Sequence, residues 1–420
     1  MSVFTSTDFA SACASGTDWR DTSKIVLEKL ESIRTEGDSF NLGFLYISDH
    51  LADDATSIFN LFKTVLKIDN WVGSVGMGVV GCNESLVDKA AISVMIGQFP
   101  EGSFRVFPEN EDEEDNLEAS KPNQMPQDAV EQWLIENTPM LGVVHADPMS
   151  QHDPQDVLRD LENTTNGFLV GGLTSSRSHH LQIANAVFDN AVSGVFFADT
   201  IPVSTTLSQG CQPIEGSHII TKADDNVILE LDDKRALDVL QDDLRTLTSA
   251  QLDKDLSDFS DTFGAIESSD TIPDEFKSLF RGQIHIALPL SQSDQKDFLV
   301  RNIAGIDADE GSLSISENIS SGDRIFFVER NDESVSSDLS KTLIALHKRV
   351  TAERGTFEPK GALYISCIAR GFSDNAAPDM QEMSIIHDII GDVPLTGFYA
   401  GGEINNARFY GYTGILTLFF

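Results

Sequence analysis

The chain has 420 residues, 40% of them hydrophobic, which suffices for two or three domains that each bury a real core. Its 67 acidic residues outnumber 29 basic ones, for a formal net charge of −38. That excess, with no cluster of Lys and Arg, excludes nucleic acid and anionic membrane as partners. It fits a solubility adaptation, with steering of a cationic ligand as the sharper alternative.

Residues 1–24 read as a flexible lead, polar and Ser-rich, without the basic start and apolar centre of a signal peptide. Ile25, Leu27, Leu30 and Ile33 mark a helix over 22–33. A first βαββ unit follows. Gly43-Phe44-Leu45-Tyr46-Ile47-Ser48-Asp49 is a strand, Ala55, Ile58, Phe59, Phe62, Val65 and Leu66 line a helix, and Trp71 to Gly78 and Ala91 to Ile96 are strands. Residues 109–127, with five consecutive carboxylates and two prolines, read as a solvated acidic insert. They lack the glycine and alternate spacing of a calcium loop.

A short helix over 129–135 leads into a second unit. Its strand is Leu141 to Asp147, and its helix opens on Asp153-Pro154, an N-cap and first-turn pair. Gly167-Phe168-Leu169-Val170-Gly171-Gly172 then leads to a polar connection, Thr174-Ser175-Ser176-Arg177-Ser178-His179-His180. Those hydroxyls and backbone donors suit an anionic ligand group, and equally a solvated hairpin loop. After Gly210-Cys211-Gln212-Pro213, residues 218–223 and 227–231 read as two strands around Asp224-Asp225-Asn226. A helix from Ala236 opens the second half, 248–274 reads as a mobile connection, and strands are expected over 284–290, 298–303 and 324–329. A helix spans 339–350. The domain boundary is expected near 232.

The third unit closes the chain. Gly361-Ala362-Leu363-Tyr364-Ile365-Ser366-Cys367 repeats the first strand with Gly, Leu, Tyr, Ile and Ser in step, which sets Asp49 where Cys367 stands. A helix behind Pro378 carries Met380, Met383, Ile386 and Ile390, and Gly397-Phe398-Tyr399-Ala400-Gly401-Gly402-Glu403 is the next strand. The expected class is therefore α/β, with mixed β-sheets and flanking helices built from repeated βαββ units in two tandem domains.

The candidate site lies where two strands of this last unit end. Cys367 reads as a small buried hydrophobe, a pocket thiol or a nucleophile, the last needing a base such as His387 or His145. Arg370 could clamp a carboxylate or lower the thiol's pKa, or be a surface arginine. Glu403 could accept a ligand's ammonium, with Asp49 and Asp147 adding to it or capping helices. Gly171, Gly172, Gly371, Gly401 and Gly402 serve as backbone devices that let another group come close, and Thr174, Ser175 and Cys211 complete the candidate set. Cys13, Cys82, Cys211 and Cys367 are too scattered for a zinc site or a disulfide framework, so neither metal nor cofactor is expected. No apolar run is long enough to span a bilayer.

The motifs Gly210-Cys211-Gln212-Pro213, Arg235 to Leu240, Cys367-Ile368-Ala369-Arg370-Gly371, Gly397 to Ile404 and Gly411-Tyr412-Thr413 resemble the FIST family, named for F-box and intracellular signal transduction proteins. The resemblance covers roughly 25–420. It implies a FIST N-terminal domain over 25–232 and a FIST C-terminal domain over 233–420. It departs from the family's pattern at Gln212, where Arg is usual, and at Asn405-Asn406, where Gly-Pro is usual. What the resemblance implies is a cytoplasmic sensory protein that binds a small molecule, with amino acids suggested, and signals through a separate partner, since the chain leaves no room for an added kinase, cyclase or F-box domain. A thiol-dependent enzyme using Cys367 and an interaction scaffold are the alternatives.

Overall fold

The computed structural model describes residues 3–6, 8–33, 39–108, 130, 133–189, 192–214, 216–252, 283–290, 298–371 and 378–420. The acidic insert at 109–127 and most of the mobile connection expected over 248–274 lie outside the described residues. The chain forms two compact units, one of residues 1–209 with 336–420 and one of residues 210–335. The family-type boundary expected near 232 and this spatial grouping are different divisions, because the last βαββ unit joins the first two in space.

The larger unit is three copies of one motif. In the first, strand Leu42–Ser48 runs parallel to Asn70–Gly76 across helix Ala55–Leu66 and antiparallel to Ala91–Gly97. In the second, Pro139–Ala146 runs parallel to Phe168–Leu173 across helix Pro154–Thr165 and antiparallel to Val192–Ala198. In the third, Gly361–Cys367 runs parallel to Leu395–Ala400 across helix Pro378–Ile390 and antiparallel to Gly414–Phe419. The expected α/β class and repeated units are what the chain builds. Each copy gains a further antiparallel strand on its outer edge: Phe9–Ser15, Phe104–Phe107 and Val203–Ser208 respectively.

The copies also exchange strands in a ring. The segment Gly78–Gly81 of the first copy pairs with Leu395–Ala400 of the third. The third copy's Glu403–Asn405 pairs with Phe168–Leu173 of the second. The second copy's Gln182–Ala184 pairs with Asn70–Gly76 of the first. The sheets are therefore covered on both faces, helices outside and a shared aromatic core inside. Phe44, Tyr46, Val143, Leu363, Ile365 and Phe398 meet in that inner core. Leu45, Val144 and Tyr364 point the other way, into separate helix-covered clusters.

The three parallel pairs share one steric device. Gly73 lies beside Leu45, Gly171 beside Val144 and Gly397 beside Tyr364. A Cβ at any of them would stand 1.7–1.8 Å from the facing carbonyl oxygen, so only glycine permits these strand pairs to close. The shared register also corrects the expected alignment of the copies. Tyr364 answers to Leu45 rather than Tyr46, so Cys367 answers to Ser48 and to Asp147, and Asp49 falls one residue beyond. Likewise Gly171 answers to Gly397. A one-residue slip turns every side chain to the other face, and strands apolar on both faces carry no alternation to prevent it.

The flexible lead expected over 1–24 is a second correction. Phe9–Ser15 is a buried strand, and the first helix begins at Trp19 rather than 22. Its small residues, Ala10, Ser11, Ala12, Cys13 and Ala14, pack flat between neighbouring elements, and apolar-run counting overlooks such a strand.

The smaller unit is an antiparallel barrel. Strands Arg324–Glu329, His218–Asp224, Val227–Leu231, Ser312–Ile315, Phe298–Asp307 and Ile284–Pro289 pair in that order, and the last pairs back with the first. Helix Ala236–Leu252 contributes Val239, Leu240 and Leu244 to its core. His218 joins barrel to helix: its Nδ1 meets Asp232 at 2.7 Å and its Nε2 meets Asp243 at 3.0 Å.

Candidate functional site

Strand Gly361–Cys367 hands over directly to a short helical turn, Ile368–Gly371, which folds Arg370 back under the sheet. Arg370 is 2% exposed. Its Nε donates to Glu382 Oε1 at 2.6 Å, and its Nη2 also contacts that oxygen. Its Nη1 donates to the carbonyls of Tyr412 at 3.2 Å and Ser208 at 3.3 Å. Glu382 Oε2 in turn accepts from the Tyr364 hydroxyl at 3.1 Å. Burial alone would lower the arginine's pKa, but the Glu382 carboxylate beside it holds the guanidinium firmly charged. A buried ion pair of this kind is tolerable only because further hydrogen bonds satisfy both partners.

The second carboxylate of the centre is less well provided for. Glu403 begins the strand that crosses to the second copy, and it is fully buried. Its Oε2 accepts from the Thr413 amide at 2.9 Å and the Thr413 hydroxyl at 2.6 Å. Among the described residues, its Oε1 has no hydrogen-bond partner. Burial pushes the Glu403 carboxyl up from 4.5 to about 7, against the opposing pull of Thr413, the Arg370 charge and the Cys367 thiol. Cys367, 6% exposed, therefore shares this environment, and its amide donates to the Thr413 carbonyl at 2.9 Å. The three groups expected together do come together. Among the described residues, Glu403 Oε1 is left as an unspent acceptor, and Arg370 Nη2 has its ion pair but no hydrogen-bond partner.

The other candidate residues divide into scaffold and periphery. Ser175 binds two copies to its own: its hydroxyl donates to the Tyr399 carbonyl and accepts from the Met77 amide at 2.9 Å. The Thr174 amide donates to the Ala146 carbonyl at 2.9 Å, and the Gly401 amide to the Leu173 carbonyl at 3.0 Å. Gly401 and Gly402 thus mark the crossing between sheets, as expected of glycines that admit another strand. Gly171 and Gly172 lie inside their strand, not past its end, and Gly172 faces Ala400, Ile365 and Phe398 in the inner core. Gly371 packs against the Tyr399 ring. Cys211 belongs to the barrel unit, buried just before strand Gln212–Pro213.

Asp49 does not cap a helix. Arg177 reaches it from the second copy's polar connection, with Nε at 2.7 Å and Nη2 at 3.0 Å, while Nη1 meets Asp88 at 2.8 Å. That connection is held by carboxylates in the first copy. Asp147 accepts from the Met149 amide at 2.8 Å, closing its own turn. His145 is fully buried and hydrogen-bonds Tyr46 at 3.2 Å, so burial lowers its pKa to about 3 and it stays neutral. His387 meets Asp392 at 2.8 Å.

Glu382 was not singled out from the sequence, and Thr413 entered there only within a family motif and not as a site residue, although both complete the centre. The signal was present for Glu382: with Ile386 and Ile390 it falls at intervals of four on a buried stripe, where a carboxylate requires a cation. Among the described residues, no group of three or more His, Cys, Asp or Glu is placed to hold a metal ion. No helix among them is long and apolar enough to cross a membrane.

Comparison with known proteins adds a frame. A protein of Mycobacterium tuberculosis strain H37Rv, described as uncharacterized, is 30% identical over 275 residues, which cover 62% of each chain. An uncharacterized protein of Mycobacterium bovis is 29% identical over 220 residues, covering 51% of this chain and 49% of its own. The chain thus spans between about half and 62% of the curated relatives' length. The FIST N domain model matches residues 41–234 and the FIST C domain model residues 236–406. With these two matches in tandem over most of its length, the chain belongs to the FIST family.

Proposed function

We propose that the protein is a cytoplasmic small-molecule sensor, read at the Arg370–Glu382–Glu403–Cys367 centre, which passes its state to a separate signalling partner. The observation that carries this reading is Glu403: fully buried, with one oxygen unpartnered among the described residues and a carboxyl raised by burial to about 7. A buried acceptor left unmade is costly, and a ligand donor would relieve it. Strongly displaced ionisation in a buried centre is a common mark of a functional site. An amino acid fits in one respect, its ammonium group meeting Glu403 Oε1. The expected carboxylate clamp is narrower than the sequence suggests, since Arg370 already places Nε and Nη2 on Glu382 Oε1 and only the outer N–H of Nη2 is left.

Family membership is consistent with a sensory role, and the domain division at 232 follows the same reading. The thiol-enzyme alternative rests on Cys367 alone. His145 and His387 are engaged by Tyr46 and Asp392, so Glu403 would have to serve as its base. A thermal-shift screen of amino acids and related metabolites, with recovery of the ligand, tests the reading. A sensor is stabilised, by about 2.7 kcal/mol at a hundred times Kd, and returns the ligand unchanged. Turnover of the ligand supports the enzyme instead, and no shift with any metabolite contradicts both.

A further inference from the structure

In the barrel unit, strand His218–Asp224 opens on a histidine that holds two carboxylates at once. Asp232, in the turn after strand Val227–Leu231, meets Nδ1 at 2.7 Å, and its other oxygen accepts from the Ile219 amide at 2.9 Å. Asp243, on helix Ala236–Leu252, meets Nε2 at 3.0 Å. The His218 side chain is 12% exposed, Asp243 13% and Asp232 46%. Phe327 packs beside the imidazole, with ring centroids 5.9 Å apart.

Two such contacts require one proton more than a neutral imidazole carries. A neutral ring donates from one nitrogen and presents a lone pair at the other, which would face a carboxylate oxygen. Only the imidazolium donates at both. The ring ordinarily titrates at 6.5 and a carboxyl at 3.8, so the extra proton belongs on His218. Burial opposes that charge, but the hydrogen bonds to Asp232 and Asp243 prevail and raise the ring above its ordinary value. Burial also raises Asp243, with Asp242 and Asp232 adding negative charge beside it. The Ile219 amide, then the imidazolium and Lys234, lower Asp232 against its partial burial.

We propose that His218 is a proton-operated latch, which holds helix Ala236–Leu252 on the barrel while doubly protonated and releases Asp243 when it becomes neutral. Asp232 keeps the remaining N–H, since its contact is the shorter and the Ile219 amide fixes its carboxylate. The lone pair then falls to Nε2, facing Asp243 on the helix. Because the docked ring holds its proton above 6.5, the latch is whole below that pH and is lost as pH rises through the docked value. Docking weakens about tenfold for each pH unit that separates the docked from the free ring. Val239, Leu240 and Leu244 still pack in the barrel core, so the helix loosens without detaching. The latch lies wholly within the barrel unit and does not depend on the Glu403 centre.

On the full chain, NMR of the histidine ring nitrogens reports the protonation of His218. Hydrogen exchange, corrected for intrinsic rates, reports the protection of residues 239–244 over about pH 6–9. His218 should be an imidazolium at pH 6.5, and as it loses its proton helix protection should fall several-fold with the same midpoint, while strand Ile284–Pro289 keeps its own. Asp243→Asn offers an amide N–H to the Nε2 lone pair of the neutral ring, so it should keep the helix protected throughout and erase the pH dependence. Asp232→Asn should lower the ring's titration and move the loss of protection to lower pH with it. A ring already half-neutral at pH 6.5, helix protection level across the range, a slope that survives Asp243→Asn, or a midpoint unmoved by Asp232→Asn would each overturn the latch.

Discussion

The first and third copies of the repeat share strand order, helix placement and the glycine that lets the parallel pair close, yet their strand ends differ in kind. In the first copy, Asp49 takes an arginine that is 49% exposed, at the surface. In the third, Arg370 and Glu382 are paired where neither is more than 2% exposed, beside a second carboxylate with an unspent oxygen. One scaffold thus carries, in one copy, a buried carboxylate clasped by an arginine open to solvent and, in another, a charged centre dry on both sides. Structural clasps need no burial, whereas recognition of a small polar group gains from it, because hydrogen bonds and charges act more strongly away from water.

The scaffold side of this comparison can be broken first. Gly397→Ala, Gly171→Ala and Gly73→Ala should each cost at least about 4 kcal/mol or prevent folding, since the added methyl meets backbone. Urea unfolding checks this, and comparable losses in all three copies are expected. Charge removal should instead separate the copies. Glu382→Ala leaves Arg370 buried without its partner and should cost about 3–5 kcal/mol. Asp49→Ala removes the buried half of its pair but leaves Arg177, 49% exposed, free to turn to water, and should cost less, about 1 kcal/mol.

A smaller effect sharpens the same contrast through pH. The Glu403 carboxyl is raised by burial from 4.5 to about 7, so the folded state retains its proton where the unfolded chain has lost it. Its contribution is whole below pH 4.5 and is lost as pH rises through about 7, on the order of 3 kcal/mol in all. Glu403→Gln should flatten stability over that window. His145 works in the opposite sense: lowered from 6.5 to about 3, it costs stability as pH falls below 6.5, and His145→Gln should remove that acid loss.

Much of this organisation was legible in the sequence because it lies in local periodicity. Helix spacing, the Asp153-Pro154 start, whose side chain does accept from the Gln155 amide, and strand Arg324–Glu329 all come from nearest-neighbour rules. The coming together of Cys367, Arg370 and Glu403 was legible too, since two parallel neighbours must end on the same side. What was not legible was register and partnership over distance. Tyr46 and Tyr364 look equivalent in the sequence and face opposite layers, because strands buried on both sides do not alternate. Arg177 on Asp49 spans 128 positions, and the ring exchange of strands has no local signature. Nor has closure of the barrel, which depends on Ile284–Pro289 returning to Arg324–Glu329.

The most direct test of the buried centre as the sensing site is the pH dependence of ligand affinity, taken on whichever metabolite stabilises the protein. If an ammonium group meets Glu403, affinity should rise as the carboxyl ionises, with a midpoint near pH 7, and Glu403→Gln should abolish both the slope and most of the affinity. Affinity that is level across pH 6–8, or a slope that survives in Glu403→Gln, would contradict the account.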